Sequence, residues 1–113
     1  MNHSEFPRRR AAMVERYVVG RNVHAARVLD ALRAVPRERF VPHALLEFAF
    51  DDVSLPIPEG LLLPRPSEVG VMLAALDLKA QDKVLEIGTG VGYVTALLSR
   101  LCASVYSIEP QGP

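Results

Sequence analysis

The chain has 113 residues and carries 13 basic and 13 acidic side chains, so its formal net charge is zero. That balance gives no overall basic field of the kind that releases counterions on binding nucleic acid, which disfavours a dedicated nucleic-acid binder. Half the residues are apolar and 23% are charged, as in a folded globular chain, and the single cysteine, Cys102, excludes a disulfide framework or a cysteine-based metal site within one chain.

Charge is unevenly spread. Residues 1–43 hold nine arginines against four acids, and residues 44–113 hold four basic residues against nine acids. Arg8-Arg9-Arg10 and the arginines after them read first as solvated helix faces drawn to the acidic half, and second as a docking surface for an acidic partner. Met1 to Arg10 contain no apolar core of a signal peptide, and no apolar run reaches bilayer length, so a soluble cytoplasmic protein with no membrane partner is expected. His3, His24 and His43 stand far apart without neighbouring ligand patterns, so no metal site is expected.

In chain order, Ser4-Glu5 before Pro7 predicts a helix to about Val19, with Ala11, Val14 and Val18 on its buried face and Gly20 ending it. Asn22 is placed to cap a second helix whose stripe is Val23, Ala26, Leu29 and Leu32, stopped by Pro36. Six prolines from Pro36 to Pro66 predict irregular chain, with a short helix near His43 to Phe48. Ser54 to Ile57 and Leu61 to Leu63 read as extended pieces around the turn Pro58-Glu59-Gly60. Ser67-Glu68 opens a third helix with Val69, Met72, Leu73 and Leu76 inward. Val84 to Ile87 then predict a strand, Gly88 to Gly92 a turn, Tyr93 to Leu101 a helix and Ser104 to Ile108 a second strand, which together form a βαβ unit.

The chemistry sits in Glu86-Ile87-Gly88-Thr89-Gly90-Val91-Gly92. Glycines directly after a strand and before a helix permit a sharp turn and let a ligand approach the backbone. Glu109 follows Gly88 by 21 residues (109 − 88), at the end of the next strand, where a carboxylate can accept hydrogen bonds from both hydroxyls of a ribose. A nicotinamide or flavin enzyme would space the glycines Gly-x-Gly-x-x-Gly, and here the third glycine comes one residue early. Glu86 before the first glycine also suits a cationic amino group better than a diphosphate. The plainest alternative leaves the glycines a tight βα turn and Glu109 a solvated strand end.

These residues, with Val35-Pro36-Arg37-Glu38, Phe40-Val41-Pro42, Ala49 to Asp52, Leu55-Pro56-Ile57 and Val105-Tyr106-Ser107-Ile108-Glu109, resemble the protein-L-isoaspartate O-methyltransferase family over nearly the whole chain. The glycine motif is shared by many methyltransferases, whereas Pro-Arg-Glu-x-Phe-Val-Pro is much more particular to this family. The resemblance implies an α/β, Rossmann-like methyltransferase fold that uses S-adenosyl-L-methionine to methylate isoaspartyl carboxylates of damaged proteins. Residues 1–66 would form an N-terminal helical hairpin and proline-rich segment. Residues 67–113 would form the first βαβ unit of the cofactor-binding domain, with the C-terminal strands missing. Glu86, Gly88, Thr89, Gly90 and Gly92 would frame the methionine part of the cofactor, and Glu109 would hold its ribose.

The chain departs from that family at Leu62-Leu63-Pro64-Arg65-Pro66, where Leu62 and Pro64 stand in place of two hydroxyl residues of a Thr-Ile-Ser-x-Pro stretch. Those side chains cannot make the corresponding hydrogen bonds. With no strands after Glu109, the chain alone is expected to bind cofactor weakly and to show no measurable turnover. A second reading is a catalytically inactive, truncated piece that associates with a partner or a second copy through its open sheet edge.

Overall fold

The computed structural model describes residues 3–110, so the Gln111 to Pro113 stretch after the last strand lies outside the described residues. The helices are α1 (Phe6–Met13), α2 (Ala26–Ala34), α3 (Pro66–Leu76) and α4 (Tyr93–Ser99). The strands are β1 (Leu55–Ile57), β2 (Leu61–Leu63), β3 (Lys83–Ile87) and β4 (Ser104–Ile108). Strands β1 and β2 form an antiparallel hairpin with Leu55 opposite Leu63. Strands β3 and β4 run parallel, Lys83 opposite Ser104 and Ile87 opposite Ile108, with α4 as the crossover. The expected βαβ unit is therefore present.

The first helical stretch is longer and less regular than its periodicity suggests. Helix α1 widens into a π turn at Val14–Val18 and tightens again at Val19–Arg21. Its end is set by Asn22 in the left-handed region, φ 66°. Asn22 thus closes the first helix instead of capping the second, because asparagine tolerates this conformation and its amide can reach back to the Val19 carbonyl at 2.8 Å. Helix α2 starts after an extended Ala25 with no side-chain cap. The buried face of α1 and its extension is Phe6, Arg10, Met13, Val14 and Val18, with Ala11 exposed. In α2, Val28, Leu29, Ala31 and Leu32 are buried and Ala26 is exposed. Both corrections have one cause: alanine is apolar but small, and bulkier neighbours decide which face turns inward.

Val35 is extended ahead of Pro36, as a residue preceding proline should be, and ends α2. The following Arg37 is completely buried and donates to the carbonyls of Ala49 (2.9 Å), Val53 (3.2 Å) and Pro64 (2.9 Å). Glu38 takes both carboxylate contacts from Arg10 Nη1, at 2.9 and 2.7 Å, while Arg10 Nε donates to the Arg33 carbonyl. Paired in this way, neither charge is buried alone, a state that would cost about 3–5 kcal/mol. Phe40 lies against Tyr93 with ring centroids 5.5 Å apart. The Pro-Arg-Glu-x-Phe segment is thus the wiring between the helical pair and the βαβ unit.

Helix α3 begins at Pro66, and the N-terminal amide of Ser67 is capped from a distance by the Asp52 carboxylate at 2.9 Å. Ser67 is itself buried and receives Arg21 at 3.5 Å, so it is not the cap that Ser67-Glu68 suggests. Pro66, Val69, Gly70 and Leu73 face the core, whereas Met72 and Leu76 are exposed. The helix carries a second apolar stripe, Met72 and Leu76, turned toward a cavity beside the glycine turn. Helix α4 ends at Ser99, two residues before the expected Leu101, although Leu101 remains buried. One hydrophobic cluster joins all of this: Met13, Val18 and Leu32 from the helical pair, Leu55, Ile57 and Leu63 from the hairpin, and Val69, Leu73, Tyr93 and Leu97 from the later helices. Full burial of a side chain such as Leu32 contributes roughly 1.5–3 kcal/mol.

Candidate cofactor-binding site

Strand β3 delivers the glycine turn to the end of the parallel pair. The ladder continues past β3 through the Gly88 amide, which donates to the Ile108 carbonyl at 2.6 Å. Gly88, Gly90 and Gly92 then take φ values of 94°, 56° and 90°, a left-handed path that side chains rarely adopt. A Cβ on Gly90 would stand 3.7 Å from Ile57 Cδ1 of the hairpin, so the turn and the hairpin face each other across a narrow gap.

Two carboxylates converge here. Glu109, just past β4, accepts the Gly90 amide through Oε2 at 2.8 Å. Glu86 accepts hydrogen bonds at Oε1 from Ser107 Oγ, 2.7 Å, and from the Thr95 hydroxyl. Thr89 Oγ1 and Ser107 Oγ are also hydrogen-bonded, at 2.5 Å, so Glu86, Ser107 and Thr89 form one polar chain across the strand ends. Oε2 of Glu86 and Oε1 of Glu109 make no hydrogen bond among the described residues. Each carboxylate is thus oriented by one oxygen and offers the other.

All six residues singled out in the sequence, Glu86, Gly88, Thr89, Gly90, Gly92 and Glu109, lie within this turn and the two strand ends, and four of them line one cavity. Thr95 and Ser107 were not singled out. Ser107 is found only through the parallel register, which sets it opposite Glu86, and Thr95 only through the return of α4 over the sheet.

The cavity has a volume of about 560 Å³, in the range of small-molecule sites. Glu86 to Val91 form one wall, Ile57, Leu62, Leu63 and Pro64 the hairpin wall, and Met72 and Leu76 of α3 the floor. Its largely apolar lining with few carboxylates fits a nucleoside carrying a cationic amino acid: apolar surface for flat rings, glycine backbone for close approach and acceptors for hydroxyls and an ammonium. Tyr93 packs below the turn, fully buried, and burial pushes its phenol up to about 12. Arg37 beside it is drawn below the ordinary arginine value by the same burial.

A βαβ unit with a glycine turn and a carboxylate at the strand end is an α/β arrangement of the Rossmann-like kind. The family model of protein-L-isoaspartate(D-aspartate) O-methyltransferase matches residues 8–111, and the chain belongs to that family. It is 48% identical over 100 residues to a protein-L-isoaspartate O-methyltransferase of Methylorubrum extorquens (strain PA1), covering 88% of this chain and 44% of the relative. It is 44% identical over 105 residues to that of Roseiflexus sp. (strain RS-1), covering 93% of this chain and 48% of the relative. The chain therefore spans about half the length of the curated relatives it matches. A solved protein-L-isoaspartate O-methyltransferase superposes with a TM-score of 0.71 at 25% identity, over 91% of this chain and 33% of that one. A Plasmodium falciparum structure described as a member of the same family, in complex with S-adenosyl-L-homocysteine, shares the fold at a TM-score of 0.69 and 18% identity, over 88% of this chain and 47% of that one. Among the described residues no helix is long and apolar enough to cross a membrane.

Proposed function

We propose that this chain forms the cofactor-facing part of an S-adenosyl-L-methionine-dependent protein-L-isoaspartate O-methyltransferase acting on isoaspartyl residues of proteins or peptides. The observation that carries this is the pair of oriented carboxylates, Glu86 and Glu109, flanking a glycine turn in the left-handed region. Glu86, Gly88, Thr89, Gly90 and Gly92 hold the amino-acid end of the cofactor, and Glu109 its ribose. Residues 67–113 supply this surface, and residues 1–66 supply the hairpin wall and its anchorage. The cofactor brings a methyl group already activated on a sulfonium, and the acceptor carboxylate is already a nucleophile. Alignment and exclusion of water are therefore the work left to the chain. A reducing, cytoplasmic setting accords with the free thiol of Cys102.

One observation favours association as well. Tyr106 and Ile108 of β4 share a sheet face with Leu85 and Ile87 of β3, which also line the cavity, and all four are more than half exposed, so this open face beside the cavity is a surface for a partner or a second copy.

Calorimetry with S-adenosyl-L-homocysteine tests the first reading. Weak but saturable binding by the folded chain, lost in Gly90→Val and in Glu109→Ala, supports it. A folded chain that shows no heat of binding, yet sediments as a dimer, leaves association as its role.

A further inference from the structure

Arg37 sits at neither wall of the cavity, yet it fastens both. Its Nη2 takes the carbonyl of Val53, just before β1, and that of Pro64, just after β2, while Nη1 takes Ala49. The hairpin therefore hangs from the guanidinium by both of its ends. The same guanidinium lies 5.9 Å from the ring centroid of Tyr93, the first residue of α4 after the glycine turn. Hairpin and turn approach each other at Ile57 and Gly90, and Ile57, Leu62, Leu63 and Pro64 line the cavity together with Gly88 to Val91. We propose that Arg37 is a positioning residue that sets the width of the cavity by clamping the β1–β2 hairpin against the α4 side, and so governs how tightly the cofactor is held.

Three features separate this from ordinary core packing. A guanidinium is the one side chain whose planar fork can serve three carbonyls from separate segments at once. An arginine buried to zero exposure whose guanidinium is served by carbonyls, with no ion pair among the described residues, is a costly way to fill space. Its Nε, like the Tyr93 hydroxyl, also lacks a partner among the described residues, so the site is not arranged for stability alone.

The inference rests on the cofactor reading above, and two measurements keep the two apart. The first is amide hydrogen exchange on the whole chain, compared between wild type, Arg37→Met, Arg37→Lys and Val28→Ala, the last destabilising α2 away from the cavity. Amides of residues 53–64 should exchange at least about tenfold faster in Arg37→Met than in Val28→Ala at matched global stability, with partial protection regained in Arg37→Lys. The second is calorimetry with S-adenosyl-L-homocysteine, where Arg37→Met should weaken binding about tenfold or more and Val28→Ala should not. Uniform exchange in Arg37→Met overturns the clamp, whatever the ligand does. Faster hairpin exchange with unchanged affinity overturns its governance of the site. Absent binding in wild type with faster hairpin exchange overturns the cofactor reading and leaves the clamp standing. Should Arg37→Met fail to fold, Arg37→Lys against Val28→Ala decides both measurements in the same way.

Discussion

The Glu109 carboxylate accepts the Gly90 amide at 2.8 Å, so the residue proposed to hold a ribose also braces the glycine turn. The two duties fall on different oxygens. Glu109→Ala should weaken S-adenosyl-L-homocysteine binding by roughly 1.5–3 kcal/mol, the range for hydrogen bonds to a charged group. Because Glu109 is exposed, the melting temperature should move little. Calorimetry beside thermal unfolding checks this, and a stability loss as large as the affinity loss would show the residue to be only a brace.

Gly70 of α3 meets Val18 of the π turn with no room for a methyl group: a Cβ there would overlap Val18 Cγ1. Gly70→Ala should destabilise the fold by about 1–3 kcal/mol despite the better helix propensity of alanine. Val18→Ala in the same chain should recover part of that loss, and the coupling is read from a double-mutant cycle in urea.

Arg27 on α2 donates to the carbonyls of Leu78 and Leu101, each at 2.7 Å and each just beyond the end of a helix. It ties the chain segments that follow α3 and α4 to α2. Arg27→Met, which keeps most of the aliphatic stem, should lower unfolding free energy by roughly 1–2 kcal/mol. Denaturant unfolding of Arg27→Met beside wild type reads the loss, and an unchanged midpoint would show that these bonds contribute nothing.

Tyr93 gives the pH dependence. Burial holds its phenol up at about 12, with Arg37 and Arg10 pulling it the other way, against an ordinary value near 10. A folded-state value above the unfolded one means the contribution is complete below pH 10 and declines as pH rises from about 10 to about 12. The loss should amount to roughly 2–3 kcal/mol across that window. Tyr93→Phe should remove this component of alkaline destabilisation and cost little at pH 7, since the hydroxyl has no partner among the described residues. Urea midpoints of both chains between pH 8 and 12 decide it.

Much of the site was legible in the linear chain because its signals are local. The glycines of residues 88 to 92 state their own backbone path, and the span from Gly88 to Glu109 is the length of one crossover. The turn Pro58-Glu59-Gly60 was equally plain, with Glu59 and Gly60 taking φ values of 68° and 74°. What the sequence could not show is which groups orient Glu86, since Thr95 and Ser107 reach it only through strand register and helix return. Asn22 and Ser67 misled for a related reason. Both residue types favour helix ends, but propensity does not say which end, or whether a distant carboxylate such as Asp52 takes the role.

The sequence by itself determined the βαβ unit, the glycine turn and the membership signalled by Pro36-Arg37-Glu38, because each depends on backbone preferences and spacing along the chain. Only the tertiary structure decided that Met72 and Leu76 face a cavity instead of the core, and that Arg37 is buried beneath three carbonyls. Amphipathic periodicity tells that a face is apolar, not what lies opposite it. A buried charge is tolerated only where acceptors from distant segments happen to meet.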